Sequence, residues 1–419
     1  MNITILTYGS RGDVQPFIPL SLGLMARDHH VILAAPSRFK SLVEESGIRF
    51  VALAGDPEDL SRQLNNAGYN FIKQFRELMS HAIRIGAEIQ RQTEVACKDA
   101  DLVVHTFAHA VGGHTLAREK NIPDIHIQGF PMFTPTGDYP NVTFRNRKLR
   151  SWNRITHRFA RTMSWWGAKL GYEQVRRRTG LPKRKLYSPF VEDPVRPRTP
   201  ILCAWSPSVI PPSRDWPPNV QVTGYLFGKQ DDGYHPNLKL ESFLDAGEPP
   251  ICVSFGSMLN QGAAKTDSII RDAFRQTNHR GIVLSGWSDV ASESSNEILY
   301  LDAVPHSWLL PRCEMVIHHG GAGTTSAGLC AGIPNIVVPH TADQPFWGSR
   351  VHAVGAGPKP IPVKKLSVEN LTRAIADADN PVIRKHAQTI GHELRREDGV
   401  GNAVQCIEKY FSEFTRQDR

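Results

Sequence analysis

The stretch that most constrains this 419-residue chain is Met315 to Pro339, M-V-I-H-H-G-G-A-G-T-T-S-A-G-L-C-A-G-I-P-N-I-V-V-P. A short apolar run, a glycine-rich turn, a run of small residues and a second apolar run read as strand, turn, helix and strand. Two fully apolar strands joined by a helix are the building unit of a parallel sheet covered on both faces. The turn brings backbone N–H groups, unshielded by side chains, to a helix N-terminus, where unpaired donors and the helix dipole stabilise an anion. A phosphorylated ligand is expected there.

The same alternation runs through the chain. In the first half, strand-like runs at Ile3 to Thr7, Val31 to Ala35, Leu102 to His105 and Ile125 to Gln128 alternate with helix-like runs at Phe17 to Arg27 and Phe71 to Ala96. In the second half, strands are expected at Ile251 to Phe255, Ile282 to Leu284, Ile298 to Leu301, Met315 to Ile317 and Ile336 to Val338. This length exceeds what one hydrophobic core usually supports. The expectation is an α/β protein of two doubly wound Rossmann-like domains facing across a cleft: 1–205, a proline-rich linker at 206–230, 231–395, and a closing helix at 396–419 that packs back on the first domain. Ligands of open α/β sheets sit beyond the carboxyl ends of the strands, so the chemistry is expected in that cleft.

Six scattered cysteines without a CxxC pair read as reduced, buried thiols rather than a disulfide framework or zinc site. With a strand expected from Ile3, no signal peptide is expected, and no run of 18 apolar residues occurs. A cytoplasmic location is expected. The net charge of +8 is concentrated: between Arg145 and Lys185 there are 14 Lys and Arg against one acid, Glu173. That segment carries +13, and the rest of the chain −5. Within it Ile155, Phe159, Met163, Trp166 and Leu170 recur at helical spacing, with Arg154, Arg158 and Arg161 on another face. Such a helix suits an anionic membrane surface, or else its apolar stripe packs on the domain core. No nucleic-acid recognition motif accompanies the charge.

At the end of the first strand lies Tyr8-Gly-Ser-Arg-Gly-Asp-Val-Gln-Pro16, which is not a dinucleotide fingerprint. Its Asp13 is either a general base or an ordinary helix cap. In the second half, His319 can donate to a phosphate oxygen while Thr324 and Thr325 cap the helix, and Ser257 lies in a second small-residue turn. Asp343 and Gln344 are a carboxylate and an amide suited to sugar hydroxyls, or else turn residues. Trp287 can stack on a base or sit in the core. The Val304 backbone can read a base edge.

Together these residues resemble the family-one nucleotide-sugar glycosyltransferases, which have the two-domain GT-B fold. The resemblance spans nearly the whole chain: Gly9 to Pro16, Asp215-Trp-Pro-Pro, Val222-Thr-Gly-Tyr225, Phe255-Gly-Ser257 and Val304 to Gly357. It implies that Asp13 is the catalytic base, that His319 and Gly321, Ala322, Gly323 and Thr324 hold the donor diphosphate with Ser10, Arg11, Gly12 and Ser257 nearby, that Asp343 and Gln344 bind the donor sugar, and that Trp287 and Val304 meet the base. The segments Gly9 to Pro16, Pro131 to Pro140 and Ala342 to Trp347 are most similar to the sterol and lipid glucosyltransferase branch. Met132 and Phe133 depart from it, standing where that branch usually has tryptophan after the proline. Around the acceptor the candidates are His109, Phe130, Met132 and Phe133. The resemblance implies an inverting transferase moving glucose from UDP-glucose, a co-substrate, to a lipophilic acceptor such as a sterol. No cofactor is expected, and, with no DxD carboxylate cluster, no metal. The alternatives are transfer of UDP- or dTDP-sugars to antibiotic or polyphenol aglycones, a sugar-nucleotide epimerase, and a non-catalytic nucleotide-sugar sensor.

Overall fold

A computed structural model of the chain describes residues 1–57, 59, 71–144, 149–191, 198–228, 233–255, 263–284 and 294–417. It falls into two compact units, one of Met1–Pro207, Pro212–Gly228 and Asp398–Arg419, the other of Ser208–Pro211 and Lys229–Glu397.

The first unit is built on a seven-stranded, all-parallel sheet. Its strands are β1 (Asn2–Leu6), β2 (His30–Pro36), β3 (Arg49–Leu53), β4 (Leu102–His105), β5 (Asp124–Gln128), β6 (Ile201–Cys203) and β7 (Val220–Val222), in the order β3-β2-β1-β4-β5-β6-β7. Successive side chains of a strand point to opposite faces, and here both faces are covered. Ile3, Ile5, Leu102 and Val104 enter one core, with Phe17, Leu20 and Leu24 of the Phe17–Met25 helix. Leu6 and Val103 enter the other, with Leu116 and Ala117 of the Ala110–Lys120 helix. The Gly399–Gln417 helix completes the first of these cores with Ala403, Val404, Ile407, Tyr410 and Phe414. Glu408 of that helix is fastened to Arg27 at 2.9 Å and His29 at 3.1 Å.

The second unit has a five-stranded parallel sheet: β8 (Ile251–Ser254), β9 (Gly281–Leu284), β10 (Ile298–Leu301), β11 (Met315–His318) and β12 (Asn335–Val337), in the order β10-β9-β8-β11-β12. Ile251, Val253 and Ile317 face one core, Cys252, Ile282 and Val316 the other.

Three strands of the first sheet lie outside the runs read from sequence. β3, R-F-V-A-L, is an edge strand with little buried surface, and β6 has only three residues. β7 falls inside the 206–230 segment read as a linker, where its three residues pair with β6 and bring Pro212–Gly228 into the first unit. The prolines end just before it, so its N–H groups are available to the ladder. All six cysteines are free and four are buried. Among the described residues no helix is long and apolar enough to cross a membrane.

Candidate functional site

In each unit a central strand ends in a glycine-containing turn that opens a helix. β1 runs into Ser10, the N-cap of a four-residue helix at Arg11–Val14. Asp13 is the third residue of that helix, not its cap. Its Oδ2 accepts the Ser10 backbone N–H at 2.7 Å and the Ser10 hydroxyl at 2.9 Å, in a capping-box arrangement. The Thr7 hydroxyl donates to the Asp13 carbonyl at 2.6 Å. Gly9, at φ +147°, is where a side chain cannot go, since a Cβ there would collide with the Asp13 carboxylate. Asp13 keeps an open surface, yet the protein crowded around it raises its carboxyl above the ordinary aspartate value, while the two Ser10 bonds pull the other way. A carboxylate in this setting is a stronger base than one free in water. Ser10, Arg11 and Gly12 are exposed, and Arg11 Nε donates to Gln15 at 3.0 Å.

Beside this turn, at the carboxyl ends of β4 and β5, stands an aromatic group. Phe107 stacks on Phe133 with centroids 5.4 Å apart and tilts toward Phe130 at 6.5 Å. Phe133 is buried and reaches Phe190 at 4.6 Å and His126 at 5.3 Å. Met132 is half-buried and held through its carbonyl by Asn141. His109 is buried, its ring edge-on to Tyr8 at 6.4 Å. Burial, and then the neighbouring His105, lowers its pKa to about 4. Behind it lies a polar knot in which Asp124 Oδ2 meets His105 Nε2 at 2.8 Å and His114 Nδ1 at 2.9 Å, and His105 meets His126 at 3.3 Å. Burial alone would raise Asp124, but His114 and His105 hold its carboxyl well below the usual range. His105, His114 and Asp124 place their ligating atoms within 4.8 Å of one another, a spacing a metal could use, and here both histidines bond the Asp124 carboxylate.

In the second unit β11 ends at His318, and Gly321 is the N-cap of the Ala322–Ala331 helix. No side chain caps this helix. Thr324 and Thr325 do not cap it, contrary to the expectation, because both lie within its first turn, where a hydroxyl cannot reach back to the leading amides. Thr325 N donates to Gly321 O at 2.9 Å, the first bond of the ladder, so the amides of Ala322, Gly323 and Thr324 precede it. His319 lies over this end: a Cβ on Gly321 would sit 2.5 Å from His319 Nε2. His319 Nδ1 faces the Ser254 carbonyl at 3.4 Å. A carbonyl only accepts, so the proton is on Nδ1, and Nε2 can donate to an anion only in the imidazolium form. Burial lowers the His319 pKa, with the Ser254 bond acting against it.

Beneath it, Gly320 N donates to His318 Nδ1 at 3.1 Å and His318 Nε2 donates to Asn335 at 3.1 Å, which fixes the turn to β12. Burial, with His319 beside it, brings His318 down to about 3. Asp343 and Gln344 both have local work. Asp343 accepts the Trp347 indole N–H at 2.9 Å, and Gln344 is buried with its carbonyl accepting from His340 N at 2.8 Å and Thr341 N at 3.1 Å. Val304 follows β10 and turns its side chain into the core. Ser257 and Trp287 lie outside the described residues. Three residues escaped the sequence reading: Ser254, whose hydroxyl pairs with His306 at 3.2 Å, His306 itself, and His340, whose ring is 6.0 Å from Phe255 and whose pKa falls to about 4 through burial and then His319. The only signal they gave is position: Ser254 closes a buried strand, and His306 and His340 each follow a proline just beyond a strand.

Residues 3–137 match the glycosyltransferase family 28 N-terminal domain, and residues 285–404 the C-terminal domain of erythromycin biosynthesis protein CIII-like proteins. Over 98% of its length the chain is 34% identical to a sterol 3-beta-glucosyltransferase of Arabidopsis thaliana. It is equally 34% identical, over 98% of its length and 97% of the relative's, to the O-mycaminosyltylonolide 6-deoxyallosyltransferase of Streptomyces fradiae. The chain belongs to the nucleotide-sugar glycosyltransferases. It spans 66% of the Arabidopsis thaliana glucosyltransferase and 27% of a sterol 3-beta-glucosyltransferase of Debaryomyces hansenii, to which it is 34% identical. The glycosyltransferase fold is shared with solved structures. The kitacinnamycin glycosyltransferase superposes with TM-score 0.71 at 20% identity, covering 98% of this chain and 99% of that one. The glycosyltransferase VinC, in complex with dTDP, does so with TM-score 0.68 at 17% identity, covering 99% and 100%.

Proposed function

We propose that this glycosyltransferase transfers glucose from UDP-glucose, with inversion, to the hydroxyl of a lipophilic acceptor such as a sterol. The observation that carries the reading is His319 laid over the bare Gly321 N-cap, a place for a diphosphate and for the proton that neutralises its growing charge. As the bond between anomeric carbon and diphosphate oxygen breaks, its electron pair goes to the leaving group, and the helix N-terminus and the His319 imidazolium stabilise that charge. The acceptor oxygen forms the new bond to the anomeric carbon, and Asp13 takes its proton. Ser10 orients the receiving carboxylate. Buried Phe133, with Phe107 and Phe130, offers an apolar wall to a ring system, and His109, uncharged in its buried setting, adds no cost of burying a cation beside an apolar acceptor.

A second reading, transfer of a deoxysugar from a dTDP donor to a macrolide or polyphenol, is favoured by the Streptomyces fradiae relative, which is matched almost end to end. Incubation with UDP-glucose and dTDP-glucose, each against a sterol and a macrolide aglycone and read by mass spectrometry, decides between them. A steryl hexoside formed from UDP-glucose is expected. Transfer confined to the dTDP donor establishes the second reading, and an epimerised sugar nucleotide with no glycoside overturns both.

A further inference from the structure

The Arg150–Arg178 helix is built with its faces exchanged. Its buried residues are Asn153, Thr156, His157, Ala160 and Val175, mostly small or polar. Its large apolar side chains, Ile155, Phe159, Met163, Trp166 and Leu170, are each between 47% and 57% exposed. At about 100° per residue these five fall within an arc of roughly 80°, and they run about 22 Å along the axis. Packing on the domain core, one of the two readings open from sequence, is therefore not what the stripe does. Single exposed apolar residues need no explanation, whereas a continuous line of five does.

Its rim is cationic. Arg158 and Lys169 lie on one flank, roughly 40–60° round from Ile155, and the Lys169 ammonium sits 5.3 Å from the Trp166 ring centroid. Arg177 follows on the line of the stripe. The one acid of the whole 145–185 segment, Glu173, is 3.9 Å from Lys169. Of the other helix arginines, Arg150 and Arg154 grip Asp215, Arg161 bonds the Phe190 carbonyl, and Arg176 bonds the Pro182 carbonyl and Gln90. Apolar side chains in a row, a tryptophan in the middle and cations at the edge are what an interfacial helix presents to anionic headgroups and the acyl boundary beneath them.

We infer that this helix is a docking face for an anionic lipid bilayer, lying along its surface with the stripe inserted. The docking does not depend on which sugar or acceptor the protein uses. It is tested with the full chain by co-sedimentation with vesicles of phosphatidylcholine, with and without phosphatidylglycerol. Binding to the anionic vesicles, weakened by added salt, is expected. Phe159→Ser with Trp166→Ser should weaken it by about tenfold or more, with the cooperative thermal transition retained because both side chains are about half exposed. Arg158→Glu with Lys169→Glu should remove the preference for anionic over neutral vesicles. Three results overturn the inference: no vesicle binding by the wild-type protein, equal binding by wild type and the Ser pair, or a wild-type dimer by light scattering that the Ser pair converts to monomer, which would show that a second copy covers the stripe.

Discussion

The turns after β1 and β11 are two answers to one architectural problem, how to leave a parallel strand and start a helix within a few residues. After β1 the helix is four residues long, opens on a serine and holds a carboxylate whose pKa is raised. After β11 the helix is ten residues long, opens on a glycine with no capping side chain and holds a histidine whose pKa is lowered. In the first the N-cap serine spends its own N–H and hydroxyl on the protein's own acid. In the second no side chain takes the leading amides. On the proposed reading the same topology serves a proton acceptor in one unit and an anion grip in the other, and the difference rests on Ser10 and Asp13 against Gly321 and His319.

Asp13→Asn breaks the comparison most severely. The amide still accepts from Ser10, so the fold and UDP binding should be unchanged, while turnover falls by about 10²- to 10⁴-fold. Near-native turnover would remove Asp13 from the mechanism. Next comes His319→Ala, expected to lower kcat by about 10²-fold or more. The same variant sharpens the electrostatic contrast: on the proposed mechanism His319 takes up a proton when diphosphate binds, so wild-type UDP affinity should be greatest at acid pH and fall as pH rises through the bound-state pKa. Calorimetry across pH should find that slope in the wild type and its loss in the variant. Gly321→Ala pushes a methyl against the His319 ring and should weaken UDP binding by about tenfold with normal circular dichroism. The smallest effect belongs to Ser10→Ala. Removing a hydroxyl that favours ionised Asp13 should move the acid limb of the kcat/KM profile upward by roughly half a pH unit, and a downward move would contradict the assigned bond.

Much of this was legible in the residues because it depends on local pattern. Apolar runs such as I-C-V-S and M-V-I-H sit in fully buried strands, and periodicity alone gives the Phe71–Ala96 helix end to end. What was not legible depends on who meets whom. β7 is three ordinary residues that become a strand only because β6 lies alongside. Asp343 and Gln344 carry the donors and acceptors a sugar would need, but pattern cannot tell that their carbonyl and carboxylate oxygens already hold Trp347 and the loop before it. Ser254 and His306 are fifty-two positions apart, and no spacing rule joins them. The outward turn of Phe159 and Trp166 is of the same kind: helical spacing defines the stripe, whereas its direction is set by Asn153, Thr156 and His157 packing inward.

The Gly399–Gln417 helix has a further consequence, one of timing. During synthesis β1 to β7 emerge first, yet the core over one face of their sheet still lacks Ala403, Val404, Ile407, Tyr410 and Phe414. The second unit, contiguous from Lys229 to Glu397 apart from four residues, leaves the ribosome with nearly everything it needs. The portion translated first is therefore the last to be finished, and until residue 417 is released a nascent chain has an apolar sheet face open to chaperones.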